Sequence, residues 1–96
     1  MNLQTLRSKY RNQILLIADK YKVENIRIFG SVIRGEENAN SDIDFLVHFK
    51  EGASLLDESG FDIDLRDLVG CKVDVISDRA IRKEFVPFIL KEAQPL

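Results

Sequence analysis

The sequence predicts an α+β domain in which a small three-stranded mixed β-sheet is flanked by helices in the order α-β-α-β-α-β-α. Three observations predict it: an N-terminal stretch with apolar residues at helical spacing, three short strand-like runs, and a capped helical stretch between the second and third of them. Ninety-six residues suffice for one modest core, so residues 1–96 are read as a single domain.

Leu3, Leu6, Tyr10, Ile14, Ile17, Ala18 and Tyr21 recur every three or four residues with Arg and Lys between them, which describes an amphipathic first helix. Ile26 to Phe29 form a short strand ended by Gly30-Ser31, and Val32 to Arg34 make one or two helical turns before Gly35. The polar run Glu36 to Ser41 is a surface loop. Asp42 to Phe49 is the second strand, with Ile43, Phe45, Val47 and Phe49 on one face and Asp42, Asp44, Leu46 and His48 on the other. Ser54 caps a helix from about Leu55 to Val69, stopped by Gly70, with Leu55, Leu65, Leu68 and Val69 inward. Lys72 to Ile76 is the third strand. Ser77 or Asp78 caps a last helical segment, which breaks near Phe85-Val86 because Pro87 disfavours a helical residue before it; a short terminal helix then starts at Pro87. Most of the apolar segment Phe85, Val86, Phe88, Ile89 and Leu90 is expected in the core, and the sheet is expected to be covered mainly on one side.

Composition narrows the function. Hydrophobic residues make up 45% and charged residues 31%, too apolar and too mixed in sign for a disordered chain. Fourteen Lys plus Arg against sixteen Asp plus Glu leave a formal charge of -2, so no global positive field marks a nucleic-acid binder. The single Cys71 cannot form an internal disulfide, and His48 has no Cys or His partners for a zinc site. With no long apolar stretch or secretory leader, the expectation is a cytoplasmic protein without a membrane partner.

The informative feature is Gly30-Ser31, ten residues, then Asp42-Ile43-Asp44. If the first two strands are antiparallel, the end of one lies beside the start of the other, and Gly30-Ser31 faces the acidic pair. Residues two apart on a strand project to the same side, so Asp42 and Asp44 can share one or two divalent cations; oxygen-only ligands favour magnesium or manganese. Gly30 has no side chain to keep a phosphate away, and Ser31 offers a hydroxyl and an amide. Asp74 supplies a third carboxylate, level with the pair if the third strand runs parallel to the second. Metal-binding carboxylates, a group to accept a proton and a phosphate cradle are the parts of a nucleotidyl-transfer site. A second Asp-x-Asp, at Asp62 and Asp64, lies in the expected helix, where residues two apart point about 200° apart and cannot chelate one ion.

The runs Gly30-Ser31-Val32-Ile33-Arg34-Gly35-Glu36, Ser41-Asp42-Ile43-Asp44-Phe45-Leu46-Val47 and Gly70-Cys71-Lys72-Val73-Asp74-Val75-Ile76 resemble the minimal branch of the DNA polymerase β-like nucleotidyltransferase superfamily, which includes the antitoxins paired with HEPN toxins. The resemblance implies the nucleotidyltransferase fold, Asp42 and Asp44 as magnesium ligands, Asp74 as third ligand and base, and Gly30 and Ser31 on the triphosphate of ATP. Arg34 is read as a further phosphate contact. In the antitoxin branch the implied reaction places AMP on a tyrosine of the toxin, silencing its ribonuclease activity. The chain departs from the pattern at Val32-Ile33, where relatives often carry a small residue before the arginine.

Larger relatives carry a domain that holds the acceptor, so here a second macromolecule is expected to bring the acceptor hydroxyl, in a hetero-oligomer with a HEPN toxin. Two other readings stand beside this one: a vestigial module that neutralises its partner by occlusion, and nucleotidyl transfer to a small molecule or RNA.

Overall fold

The computed structural model describes residues 1–36 and 42–96. The expected loop Glu36 to Ser41 therefore lies, beyond Glu36, outside the described residues. The N-terminal stretch folds as one helical run, α1 (3–20): an α-helical turn Leu3–Thr5, a wider π-helical segment Leu6–Tyr10 and regular α-helix Arg11–Lys20. Asn2 opens it by accepting the Thr5 amide at 2.8 Å. Leu6, Ile14 and Ala18 are buried, and Leu3, Tyr10, Ile17 and Tyr21 pack against the same core, so the whole apolar stripe faces inward.

The stripe lies on a mixed sheet. Strands β1 (Val23–Phe29) and β2 (Ile43–Phe49) are antiparallel, and β3 (Val73–Ser77) runs parallel to β2. A two-residue β4 (Gln94–Pro95) pairs antiparallel with the other edge of β1, giving the order β3-β2-β1-β4. This fourth strand corrects the expected three. Two residues are too few to show alternation, and a proline is tolerated on an edge, where no partner needs its missing amide. Asn25, in the left-handed region at φ 53°, sits where the β1–β2 register shifts, and beyond this bulge Ile26 and Ile28 are buried.

On β2, Ile43, Phe45, Val47 and Phe49 enter the core as the alternation predicts. The opposite face is not free as expected, because Leu46 there is only 1% exposed. The sequence places Leu46 among polar neighbours, and only the three-dimensional packing shows that it is covered.

Helix α3 (Leu55–Val69) has the expected bounds. Ser54 accepts the Asp57 amide while Asp57 accepts the Ser54 amide, and Gly70 ends the helix at φ 71°. Phe61, Leu65 and Val69 are its buried residues. Leu55, expected inward, is 80% exposed: six residues before Phe61, it lies about 240° around the helix from the stripe that Phe61 defines.

Gly60 is explained by contact. A β-carbon there would lie 2.3 Å from Tyr21 Cε1, and that ring is tethered by its hydroxyl, which donates to Asp64 at 2.7 Å. Gly60→Ala is therefore expected to destabilise the fold by about 1–3 kcal/mol through overpacking, although alanine is the better helix former. A lowered urea midpoint would show it; an unchanged or raised midpoint would contradict the close-contact account.

The C-terminal region departs most from expectation. Asp78 caps no helix: its amide donates to the Val47 carbonyl at 2.8 Å, while the Arg79 amide donates to Ser77 Oγ at 3.3 Å in a turn. A 3₁₀ turn, Lys83–Phe85, leads into α4 (Val86–Glu92), which begins one residue before Pro87. The preceding turn already carries helical dihedrals, so Val86 continues it, and Pro87 in the first helical turn forfeits no hydrogen bond. Phe85, Phe88 and Leu90 are 50%, 72% and 48% exposed, so this segment is not core; a helix of seven residues turns only one side to the body of the protein. Among the described residues, no helix is long and apolar enough to cross a membrane.

Candidate active site

Strand β1 runs into Gly30 as β2 emerges from Asp42, and the antiparallel register sets Phe29 opposite Asp44. The glycine-serine corner and the acidic pair therefore meet. The parallel register of β2 and β3 sets Asp44 opposite Asp74, so the third carboxylate is level with the pair. Asp42 stands exposed just ahead of β2, and Asp44 is half-buried.

Gly30 occupies φ 77°, ψ −151°, a conformation that L side chains rarely adopt. A β-carbon at Gly30 would fall 2.0 Å from Asp44 Oδ2, so the bare backbone lies directly against the carboxylate. The Gly30 carbonyl accepts the Ile33 and Arg34 amides at 3.1 and 3.2 Å, starting the single turn α2 (Ser31–Arg34), which Gly35 ends at φ 72°. Ser31 is thus held at the first position after the corner, half-buried.

The electrostatics of this corner are strained. Burial, then the charges of Asp74 and Asp42, push the Asp44 carboxyl up from 3.8 to about 6; Arg34 opposes the rise and Glu92 adds to it. Because the folded-state value is raised, protonated Asp44 contributes stability below about pH 4, and that contribution is lost as pH rises through 6. In metal-free buffer, Asp44→Asn should be more stable than the native chain at pH 7.5, with the advantage vanishing below pH 4. Thermal unfolding of both chains across that range checks it, and parallel curves would contradict it.

A set of carboxylate oxygens that repel one another fits a hard divalent cation such as magnesium better than a thiophilic metal. Among the described residues, no group of three or more Asp, Glu, His or Cys side chains is already placed to hold a metal ion.

Arg34 lies at this end of the sheet, half-exposed and paired with two carboxylates: Nε with Glu36 at 3.0 Å and a terminal nitrogen with Glu92 at 2.5 Å. Glu92 had no signal in the sequence, since it stands 58 residues from Arg34 and only the docking of α4 brings it there. The second Asp-x-Asp behaves as its helical setting requires. Asp64 accepts from the Tyr21 hydroxyl at 2.7 Å and faces Lys20 at 3.6 Å, while Asp62 pairs with Arg66 at 3.2 Å. His48 lies on the Asp44 face toward the far end of β2, and it is not merely solvated: Nδ1 meets the Asp78 carboxylate at 3.0 Å.

A family model described as a nucleotidyltransferase domain matches residues 11–96. The chain belongs to the nucleotidyltransferase family. Over 90 residues, this nucleotidyltransferase is 37% identical to a Methanocaldococcus jannaschii protein provisionally named a protein adenylyltransferase, covering 94% of the chain and 92% of that protein. It is 33% identical over 76 residues to the protein adenylyltransferase MntA of Thermococcus cleftensis, covering 79% of the chain and 77% of MntA. A solved structure provisionally assigned as a minimal nucleotidyltransferase superposes on it with TM-score 0.87 and 40% identity, covering 100% of the chain and 97% of that structure. A chain from the solved complex of a tri-AMPylated Shewanella oneidensis HEPN toxin with its MNT antitoxin shares the fold, with TM-score 0.64 and 17% identity over 88% of this chain and 66% of that one. The nucleotidyltransferase is thus an enzyme of the minimal fold anticipated from its motifs, with one strand more than expected.

Proposed function

We propose that the chain is the antitoxin of a HEPN/MNT pair, a magnesium-dependent protein adenylyltransferase that moves AMP from ATP to a tyrosine hydroxyl of its partner toxin. The observation that carries this reading is the meeting of Gly30 backbone, Asp44 and Asp74 at one end of the sheet, with Asp42 beside them. The relatives named as protein adenylyltransferases, and the toxin complex that shares the fold, support the same direction.

In this reading Asp42, Asp44 and Asp74 would hold magnesium, which would supply positive charge to offset that on the triphosphate and the leaving pyrophosphate. Gly30 lets the triphosphate approach the backbone closely, and the Ser31 hydroxyl and amide orient it. Asp74, exposed at the rim, accepts the proton of the tyrosine hydroxyl. The tyrosine oxygen bonds to the α-phosphorus, the bond from that phosphorus to the oxygen bridging the β-phosphate breaks, and pyrophosphate leaves with the electron pair.

The test uses the chain as bait in a native lysate, with magnesium and ATP labelled on the α-phosphate, a γ-labelled parallel and an Asp42→Asn/Asp44→Asn control. Transfer of α-label to a captured HEPN protein, lost in the control, is the expected result. Neutralisation of that toxin without label would instead mean occlusion, and label on RNA or a small molecule would replace the protein acceptor.

A further inference from the structure

Resting on the nucleotide-site reading above, we infer that Glu92 sets nucleotide affinity by competing with the triphosphate for Arg34, so that the seat of the C-terminal segment and nucleotide binding are coupled. Arg34 is close enough to Asp44 to oppose the rise of its carboxyl, and among the described residues its Nε and one terminal nitrogen are engaged by Glu36 and Glu92. The two carboxylates differ in kind. Glu36 is two residues away in the chain, with a side chain 63% exposed. Glu92 arrives from the far end of the chain, its side chain is 24% exposed, and its contact with Arg34 is the shorter.

Glu92 is fixed from behind. The Ala93 amide donates to the Ile89 carbonyl at 2.8 Å, β4 pairs Gln94 with Ile28 and Pro95 with Arg27, and the Leu96 amide donates to the Ile26 carbonyl at 3.1 Å. Arg7 of α1 adds a bond to the Pro95 carbonyl at 2.6 Å. The strand that leads into Gly30 is therefore the one that seats the C-terminal segment, and Glu92 is held beside Arg34 by a backbone ladder. A carboxylate in this place adds negative charge to a corner that already gathers Asp42, Asp44 and Asp74, and offsets the positive charge nearest to it. Both effects oppose an anionic triphosphate. For a phosphate to take the guanidinium in a two-point grip, Arg34 must loosen its hold on a carboxylate.

The test measures binding of the non-hydrolysable nucleotide AMP-PNP with magnesium to the native chain, Glu92→Gln, Arg34→Ala and the double variant, with thermal unfolding of each. Glu92→Gln should bind about two- to fivefold more tightly, the range set by losing one partly exposed ion pair, and should unfold at the same temperature or lower. The gain should be absent when Arg34 is Ala. Tighter binding of equal size in the Arg34→Ala background would overturn the inference, because the effect would then be general repulsion. Binding by the native chain with no gain in Glu92→Gln would overturn this inference alone. Absence of binding by both would overturn the nucleotide-site reading, and this inference with it.

Discussion

Asp44→Asn is expected to lower AMP transfer on the order of a thousandfold while leaving the chain folded. On the proposed function, the loss follows from removing one charged oxygen of the carboxylate set that would hold the metal; metal-assisted charge stabilisation is worth several kcal/mol, and every 1.4 kcal/mol is about tenfold in rate. Retention of the fold follows from the place of Asp44. It is half-buried and pressed by Asp74 and Asp42, so an uncharged isostere relieves repulsion instead of opening a hole. Asp64→Asn is the informative contrast: it weakens the acceptor for the Tyr21 hydroxyl and should lower stability without touching the transfer rate of the folded chain. Rates from α-labelled ATP, set beside unfolding curves, separate the two. Transfer within tenfold of the native rate in Asp44→Asn would sink the assignment of the site.

Gly30→Ala is expected to remove activity and stability together. Two costs add at this one position. The backbone lies at φ 77°, ψ −151°, and holding an L-residue in so sparsely populated a region costs about 1–3 kcal/mol. In addition the new methyl would stand 2.0 Å from Asp44 Oδ2, so the carboxylate must leave the position in which it faces Asp74. Gly35 gives a comparison free of contact, since it lies in the milder left-handed region at φ 72°, ψ 22° with nothing within 4 Å of a built β-carbon; Gly35→Ala should destabilise by strain alone, and by less than Gly30→Ala. A double-variant cycle resolves the second: in an Asp44→Ala background, Gly30→Ala should cost measurably less than in the native chain. Equal cost in both backgrounds, by denaturant titration, would show that the contact with Asp44 is not what reserves this position for glycine.

Much of the site was legible because its parts follow from local rules. The strand period predicts Asp42 and Asp44 on one side, with Asp42 in fact standing just ahead of β2; Gly30-Ser31 ends the preceding strand, and the antiparallel pairing, which the sequence leaves conditional, brings the two together. The helix α3 was legible in its bounds, since Ser54 and Gly70 are end signals in themselves, and its setting removed Asp62 and Asp64 from contention. Its inward face is less legible. Leu55 carries the right chemistry, but the face is chosen by which residues meet the sheet, and Phe61 does. The C-terminal segment departs from expectation for a related reason: Phe85, Phe88 and Leu90 are apolar, yet composition alone does not say whether a neighbouring layer exists to cover them.

The sequence by itself determined the elements from α1 to β3, the alternation that buries Ile43, Phe45, Val47 and Phe49, and the spacing of Gly30-Ser31, Asp42, Asp44 and Asp74 that resembles the nucleotidyltransferase pattern. Each of these depends on periodicity, capping or spacing, which act over a few residues. Tertiary structure alone decided that Asp44 faces Asp74 in register, that β4 closes the free edge of β1, that Tyr21 leaves room only for glycine at position 60, and that Glu92 meets Arg34 across 58 residues. Those contacts join segments far apart in the chain, where the pairing of strand edges and the packing of side chains select the partner, and no local pattern encodes that choice.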